Sequence, residues 1–344
     1  MLTLCEPKTI VCHVTALPQE DLRDAHPPFR ADELDLFVGA AGSPDHRKEV
    51  RQYLQSMFAA GSMRQEWCFV AQEDEDRTLG RVAFWTLPGM EEPFALVLLD
   101  VPWDGDYVGV GTRVLRDVLN GARRLGAKEI EHVLDAPPMR PQFQHHPEKR
   151  VELLRSVGFA FRRETGRFEW QGGEPTAEPG RLSFRTLEEV GDEAFVGAMR
   201  KVSEGTLDRE IREEREKLGP QEAAHEFFED AQRVKHEPSW WQLAYTRSEG
   251  DLVGLVMPAE PPAFLTVFYV GVVPEMRGQG YVDDLLAAGT ATLLAARAEG
   301  GNEKPLLADI DVANAPMAAA FERAGWARFA GRREYGVDLT SDRA

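Results

Sequence analysis

Val270-Gly-Val-Val-Pro-Glu-Met-Arg-Gly-Gln-Gly-Tyr281 closes a dense run of β-branched and aromatic residues, Phe264–Val273, and opens a helical one. The run reads as a buried central strand ending at Pro274. A tight turn with two glycines follows, then a helix from Tyr281 to about Ala298. A helix start presents N–H groups that have no carbonyl one turn earlier, together with the positive end of the helix dipole. Gly278 and Gly280 let the main chain approach a bulky anion without a Cβ in the way, and Arg277 adds a positive charge. The product is a pyrophosphate cradle. Gly-x-Gly alone is an ordinary strand-to-helix turn; the longer string is what carries the reading.

Working outward, Arg181–Leu187 alternates as a strand, and Glu188 to about Lys235 is helix-rich with breaks near Gly205 and Gly219-Pro220. Trp241–Thr246 and Leu252–Pro258 read as strands joined by a turn. Beyond the helix come a strand at Leu306–Val312, a short helix at Pro316–Ala324, and one or two strands in Arg328–Leu339. The first half repeats this order: strands Trp67–Ala71, Gly80–Leu87 and Phe94–Val101, a Gly-rich turn, an amphipathic helix Thr112–Leu125, a strand Ile130–Leu134, and a helix Lys149–Ser156 followed by Gly158-Phe159. Between the halves, Gln171–Gly180 is rich in Gly, Pro and Glu and has no apolar periodicity. The expected organisation is a first domain at 1–170, a linker at 171–180 and a second domain at 181–344, the two being a diverged tandem repeat.

The central string resembles the acetyl-CoA signature of the GNAT superfamily of N-acetyltransferases, Val-x-Pro-x-x-Arg-Gly-x-Gly. Leu306-Leu-Ala-Asp-Ile-Asp-Val-Ala-Asn314 and Pro316-Met-Ala-Ala-Ala-Phe-Glu-Arg-Ala-Gly-Trp326 resemble the strand–Asn–helix–Gly-Phe segment of the same family. The resemblance covers about 181–335 well and 1–170 weakly. It implies an α/β fold of the α+β type, with two tandem domains, each a mixed, splayed sheet flanked by helices. Tandem copies with one degenerate half are similar in architecture to mycothiol synthase, although no acceptor-specific motif supports that substrate. The resemblance further implies acetyl-CoA as co-substrate, its pantetheine paired with Val270 and Val272. The diphosphate would lie on the N–H groups of Arg277, Gly278, Gln279, Gly280, Tyr281 and Val282, and Asn314 would steer the arm.

The sequence departs from the family pattern in three places. Val282 stands where a small residue is usual, and its side chain is expected to point into the helix–sheet core. Phe321 stands where the family often has a tyrosine acid, leaving Tyr281 and Tyr335 as substitutes that read first as packing or surface. The central strand has no carboxylate. A base is then sought on the next strand, where Asp309 and Asp311 share one face and Asp309, if buried beside the second carboxylate, would have a raised pKa. The alternative is that both aspartates cap loops or face solvent. Asp283 and Asp284 read as acids favoured at a helix start, and Glu204 and Asp208 as a solvated helix end with a possible grip on a cationic acceptor.

In the first half the corresponding turn, Val101–Gly111, keeps Gly109 and Gly111 but carries Asp104 and Asp106. A carboxylate about 6 Å from a phosphate charge costs roughly 1–3 kcal/mol at an effective dielectric of 20–40. The first half is therefore expected to bind the cofactor weakly or not at all. Other features exclude more than they assign. The chain has 344 residues and a formal charge of −18, which disfavours nucleic acid and anionic membranes as partners. Cys5, Cys12 and Cys68 fit neither a disulfide framework nor a zinc site, and His145-His146 read as surface loop residues, so no metal is expected. With no signal peptide or spanning segment read, the expected setting is the cytoplasm, as a monomer or homodimer. The functional expectation is acetyl transfer to a small-molecule amine; the alternative is a non-catalytic acyl-CoA sensor or scaffold.

Overall fold

The computed structural model describes residues 13–16, 38, 43–74, 77–87, 89–140, 144–173, 175 and 180–340. Cys5 and Cys12 lie outside the described residues; Cys68 is buried, and burial pushes its thiol pKa up. The chain forms two compact units, Met1–Phe161 with Glu334–Ala344, and Arg162–Arg333.

Unit 1 contains β1 (His13–Ala16), α1 (Pro44–Ala59), β2 (Cys68–Asp74), β3 (Arg77–Trp85), β4 (Ala95–Asp100), α2 (Tyr107–Arg124), β5 (Glu129–Ala136) and α3 (Pro147–Ser156). Its strands run in the order β1-β2-β3-β4-β5, followed by the end of β12 (Trp326–Asp338). One sheet face packs on α2 and α3 through Trp67, Phe84, Leu115, Val118, Ile130 and Leu154; the other packs on α1 through Leu54, Met57 and Val70.

Unit 2 takes β6 (Ala160–Trp170), β7 (Leu182–Thr186), α4 (Leu187–Val190), α5 (Asp192–Val202), α6 (Arg209–Leu218), α7 (Pro220–Arg233), β8 (Gln242–Thr246), β9 (Leu252–Ala259), β10 (Leu265–Val272), α8 (Tyr281–Glu299), β11 (Leu306–Asp311) and α9 (Ala315–Arg323). Its strand order is the start of β12, then β6-β11-β10-β9-β8-β7. Leu285, Leu286, Leu293 and Phe321 of α8 and α9 pack on one sheet face, and Phe195, Met199 and Phe228 of α5 and α7 on the other.

The last strand of each half in sequence is thus counted with the other unit: β6 from Arg162 onward belongs to unit 2, and β12 from Glu334 onward to unit 1. The units divide at Phe161/Arg162 and Arg333/Glu334, whereas the sequence reading placed the boundary in the Gly- and Pro-rich 171–180 segment. Strand exchange explains the difference, because pairing partners distant in sequence leave no compositional mark.

Both units contain one parallel strand pair that opens. β10 and β11 pair only at Leu265–Leu306 and Thr266–Leu307, and β4 and β5 only at Ala95–Glu131 and Leu96–His132. A bulge follows each short pairing: the β9–β10 register shifts between Val267 and Tyr269, and the β3–β4 register between Ala83 and Phe84. A bulge re-phases the side chains beyond it. Phe268 and Tyr269 therefore both pack on the α5–α7 face, while Val267, Val270 and Val272 pack on the α8–α9 face.

Candidate functional site

In unit 2 the opening between β10 and β11 leads into the Gly-rich turn. Val273 donates its N–H to Val253 of β9 (2.9 Å), so the alternating main-chain groups of Val270 and Val272 turn toward the opening. Beyond β10, Pro274–Met276 makes a short 3-10 turn, and α8 starts at Tyr281 with Gly280 as its N-cap. Gly278 and Gly280 have φ of 77° and 78°, left-handed conformations that cost a residue with a side chain about 1–2 kcal/mol each. A Cβ at Gly278 would meet nothing within 4 Å, and one at Gly280 only Arg181 at 3.9 Å, so the space before the helix start is open. The fold therefore brings Gly278, Gln279, Gly280, Tyr281 and Val282 to one helix start, with Val270 and Val272 leading into it.

Two arginines fix this turn. The guanidinium of Arg277, read from the sequence as adding positive charge to the cradle, is engaged by main-chain carbonyls. It donates to the carbonyls of Val272 (3.1 Å), Val202 (2.9 Å), Glu204 (2.7 Å) and Gly205 (3.5 Å), tying the end of β10 to the C-terminal turn of α5. That approach depends on Gly271, where a Cβ would sit 2.2 Å from Cγ1 of Val202. Arg181, which no motif singles out, holds the other side. It donates to the carbonyl of Gln279 (3.1 Å), pairs with the buried carboxylate of Asp284 and lies 4.7 Å over the Tyr281 ring. Asp283 pairs with Arg323 of α9 at 2.7 Å, so both aspartates of the helix start serve the scaffold. Val282 packs against the α8–α9 core.

The candidate catalytic residues are placed less favourably. Asp309 is not a buried carboxylate beside another acid: its side chain is 30 % exposed, with one oxygen 2.9 Å from Arg167 Nε and the other 3.3 Å from Arg332 Nη1. Asp311 is buried and caps loops, accepting from the N–H groups of Arg209 (3.0 Å) and Ala313 (2.7 Å). Asn314 caps α9 by accepting from Met317 N–H at 3.4 Å, which engages Oδ1 and not its amide nitrogen. Phe321 is a core ring between Phe168 and Trp326. Tyr335 belongs to the core of unit 1 and is no part of this site. Asp208 caps α6 and pairs with Arg163 at 3.3 Å, which leaves it unsuited to receive a cationic acceptor. Trp241 is fully buried and donates to Pro258, whereas Trp240 only flanks the core.

A hydroxyl the sequence reading passed over stands beside the bulge. Tyr269 packs 5.0 Å from Phe227 of α7 on the α5–α7 face. Its pKa is raised, first by burial and then by Asp208, with Arg277 and Arg215 opposing. A tyrosine in a strand of valines reads as core, and only the bulge reveals which face it joins.

Unit 1 shows the same opening closed by its own side chains. Arg150 of α3, 5 % exposed, donates to the carbonyl of Leu99 (2.6 Å) on β4 and of His145 (2.7 Å), and stacks 4.4 Å over Trp103. Counting from the two bulges, Leu99 matches Val270. At the turn, Asp106 caps α2 and accepts from Gly109 N–H at 3.0 Å, filling the place an anion would take. Tyr107 donates to Glu152, and Lys149 to the carbonyl of Trp103. Counting back from Gly158 and Gly325, α9 carries Met317 and Ala318 where α3 carries Arg150 and Val151.

Among the described residues, no group of three or more His, Cys, Asp or Glu could hold a metal ion, and no helix is long and apolar enough to cross a membrane. No family model matches the chain, and no curated protein matches it. Solved structures do. A GCN5-related N-acetyltransferase from Sphaerobacter thermophilus aligns at a TM-score of 0.54 and 14 % identity over 85 % of each chain. A GCN5-related glucosamine N-acetyltransferase region of a fungal multidomain GH3 β-N-acetylglucosaminidase aligns at 0.53 and 12 % identity, over 95 % of this chain and 38 % of the other. With the opened parallel pair, the bulge and the glycine turn, these likenesses show that the chain has the fold of the GCN5-related N-acetyltransferases.

Proposed function

We propose that the protein is an acetyl-CoA-dependent N-acetyltransferase that acts on a small-molecule amine by direct transfer in unit 2. The observation that carries this reading is the opening between β10 and β11, which leads into a helix start held by Arg181 and Arg277. Pantetheine would lie along β10, its amides on Val270 and Val272. The diphosphate would rest on the N–H groups from Gly278 to Val282, and the amide nitrogen of Asn314 would be available to the arm. The amine lone pair attacks the thioester carbon; the C–N bond forms, the C–S bond breaks, and the sulfur leaves as a thiolate. Tyr281 stands at the diphosphate end of the strand, so it serves the cofactor and not the leaving group. Val272 to Phe268 spans ~13 Å of extended chain, which puts the thioester near the bulge. There the hydroxyl of Tyr269, kept protonated by its raised pKa, is suited to donate a hydrogen bond to the developing thiolate, which takes its proton from solvent. Asp309, held by two guanidinium groups, is not proposed as base; the amine enters neutral and its surplus proton passes to solvent.

Titration of the chain with acetyl-CoA, followed by thiol release across a panel of small amines, tests the reading. One equivalent bound and transfer to an amine support it; no coenzyme binding would end it. Tyr269→Phe should lower kcat about 10-fold or more while leaving the acetyl-CoA dissociation constant unchanged. A second reading, a non-catalytic acyl-CoA sensor or scaffold, is favoured by one observation. β10 has no carboxylate and Phe321, at the usual acid position, is buried. Binding without transfer to any amine would select it.

A further inference from the structure

Unit 2 has a pocket of about 300 Å³, open to the surface, beside the C-terminal turn of α5 and against α6, lined by Ser203, Thr206, Arg212, Arg215 and Glu216 among others. It adjoins the proposed chemistry by two routes. Ser203 and Gly205 of its wall belong to the turn whose carbonyls, at Val202, Glu204 and Gly205, hold Arg277. Arg215 is also one of the charges felt at the Tyr269 hydroxyl, next to the β10 bulge. The cavity thus lies on the α5–α7 side of β10, the face opposite α8 and α9.

The charges around this cavity set its preference. Asp208 is spent on the α6 cap and Arg163, and Asp311 on two N–H groups. The ionic groups of the lining are Arg212, Arg215 and Glu216, two cations to one anion in a chain whose formal charge is −18. Arg215 is held in place by bonds from Nη1 to the Arg200 carbonyl and the Ser203 hydroxyl, both 2.8 Å. A guanidinium has five donors, so the rest of the fork remains for an oxyanion. Thr206 adds a hydroxyl donor to the same wall, whereas the Ser203 hydroxyl already donates to the Arg200 carbonyl at 3.0 Å and serves to hold Arg215.

Resting on the acetyltransferase reading above, we infer that this cavity is the acceptor's anion subsite, and that the acceptor is a small amine that also carries a carboxylate or phosphate. Arg212 and Arg215 receive the anion, and Glu216 on the same rim disfavours a ligand carrying anionic charge alone.

Calorimetry on the full chain saturated with coenzyme A tests this with matched probes: β-alanine against its amide, and aminoethyl phosphate against ethanolamine. At least one anionic probe should bind about 10-fold or more tightly than its neutral partner, the difference a charge-assisted hydrogen bond makes. Whichever binds identifies the anion as carboxylate or phosphate. Arg212→Gln should erase the difference without changing coenzyme affinity or melting temperature. Equal binding of neutral partners, a preference that survives Arg212→Gln, or no binding of either anionic probe at millimolar concentration overturns the subsite. If coenzyme A itself fails to bind, the acetyltransferase reading falls, and the same probes titrated into the free chain still decide the cavity.

Discussion

The two units open the same parallel strand pair and fill the gap in opposite ways. In unit 2 the helix beside the gap carries Met317 and Ala318, and the turn leads to a helix start with open space at Gly278. In unit 1 a guanidinium stands on the Leu99 carbonyl and a carboxylate on the Gly109 N–H. The sequence suggested that unit 1 would repel a diphosphate through Asp104 and Asp106. The geometry gives a further reason: the Leu99 carbonyl, where unit 2 has that of Val270, and the Gly109 N–H already have partners, so neither is left to exchange bound water for a ligand. A splayed sheet is thus a shape, and its use depends on a few polar side chains.

The largest effect that would sharpen this contrast is expected from Arg150→Ala. It strips the buried Leu99 carbonyl and the partly buried His145 carbonyl of their donor and uncovers Trp103, and should destabilise the protein by about 3–5 kcal/mol in denaturant unfolding, with coenzyme stoichiometry still one. A rise to two equivalents would show the arginine alone to be the plug. Next comes acid. His132 of β5 is fully buried, bonds the Leu96 carbonyl at 2.8 Å, and burial lowers its pKa to about 4. Its folded value lies below the unfolded one of about 6.5, so between these values the unfolded chain binds a proton that the folded chain does not. Stability should therefore fall as pH drops from about 6.5 toward 4, by about 3 kcal/mol, with the slope flattened in His132→Leu. An unaltered slope in the variant would place the acid sensitivity elsewhere.

Gly280→Val tests the open side. Left-handed strain and a branched side chain at the helix start should weaken coenzyme binding about 100-fold, some 2.7 kcal/mol, by calorimetry. Retained affinity would remove the cradle. The smallest effect belongs to Asp106→Ala, which loses one helix cap and should cost about 1 kcal/mol in unfolding without touching coenzyme affinity.

Much of unit 2 was legible because its elements are long and strongly patterned. β10 and α8 start and end within a residue or so of the limits read from apolar runs and glycines. Local capping misled the reading of α2, which begins at Tyr107 and not Thr112 because Asp106, read as part of a turn, is its cap. α1 and β6 carry patterns too mixed to separate from loop. At the site, the glycines and Val282 were readable from local geometry, whereas the partners of Arg277 and Asp309 were not. Gly205 is far from Arg277 along the chain, as Arg167 is from Asp309, and no spacing rule links such pairs. Arg181 sits at the edge of the Gly- and Pro-rich segment, where nothing marks an arginine as a clamp.

The exchange of last strands has a practical meaning. A protease nick anywhere in 171–180 would yield two fragments, each still holding a ribbon that completes the other's fold. Such fragments should co-purify and refold better mixed than apart, like complementing halves of a split reporter. Loss of the first half of the chain would likewise take β6 out from between β11 and the start of β12 in the sheet of unit 2.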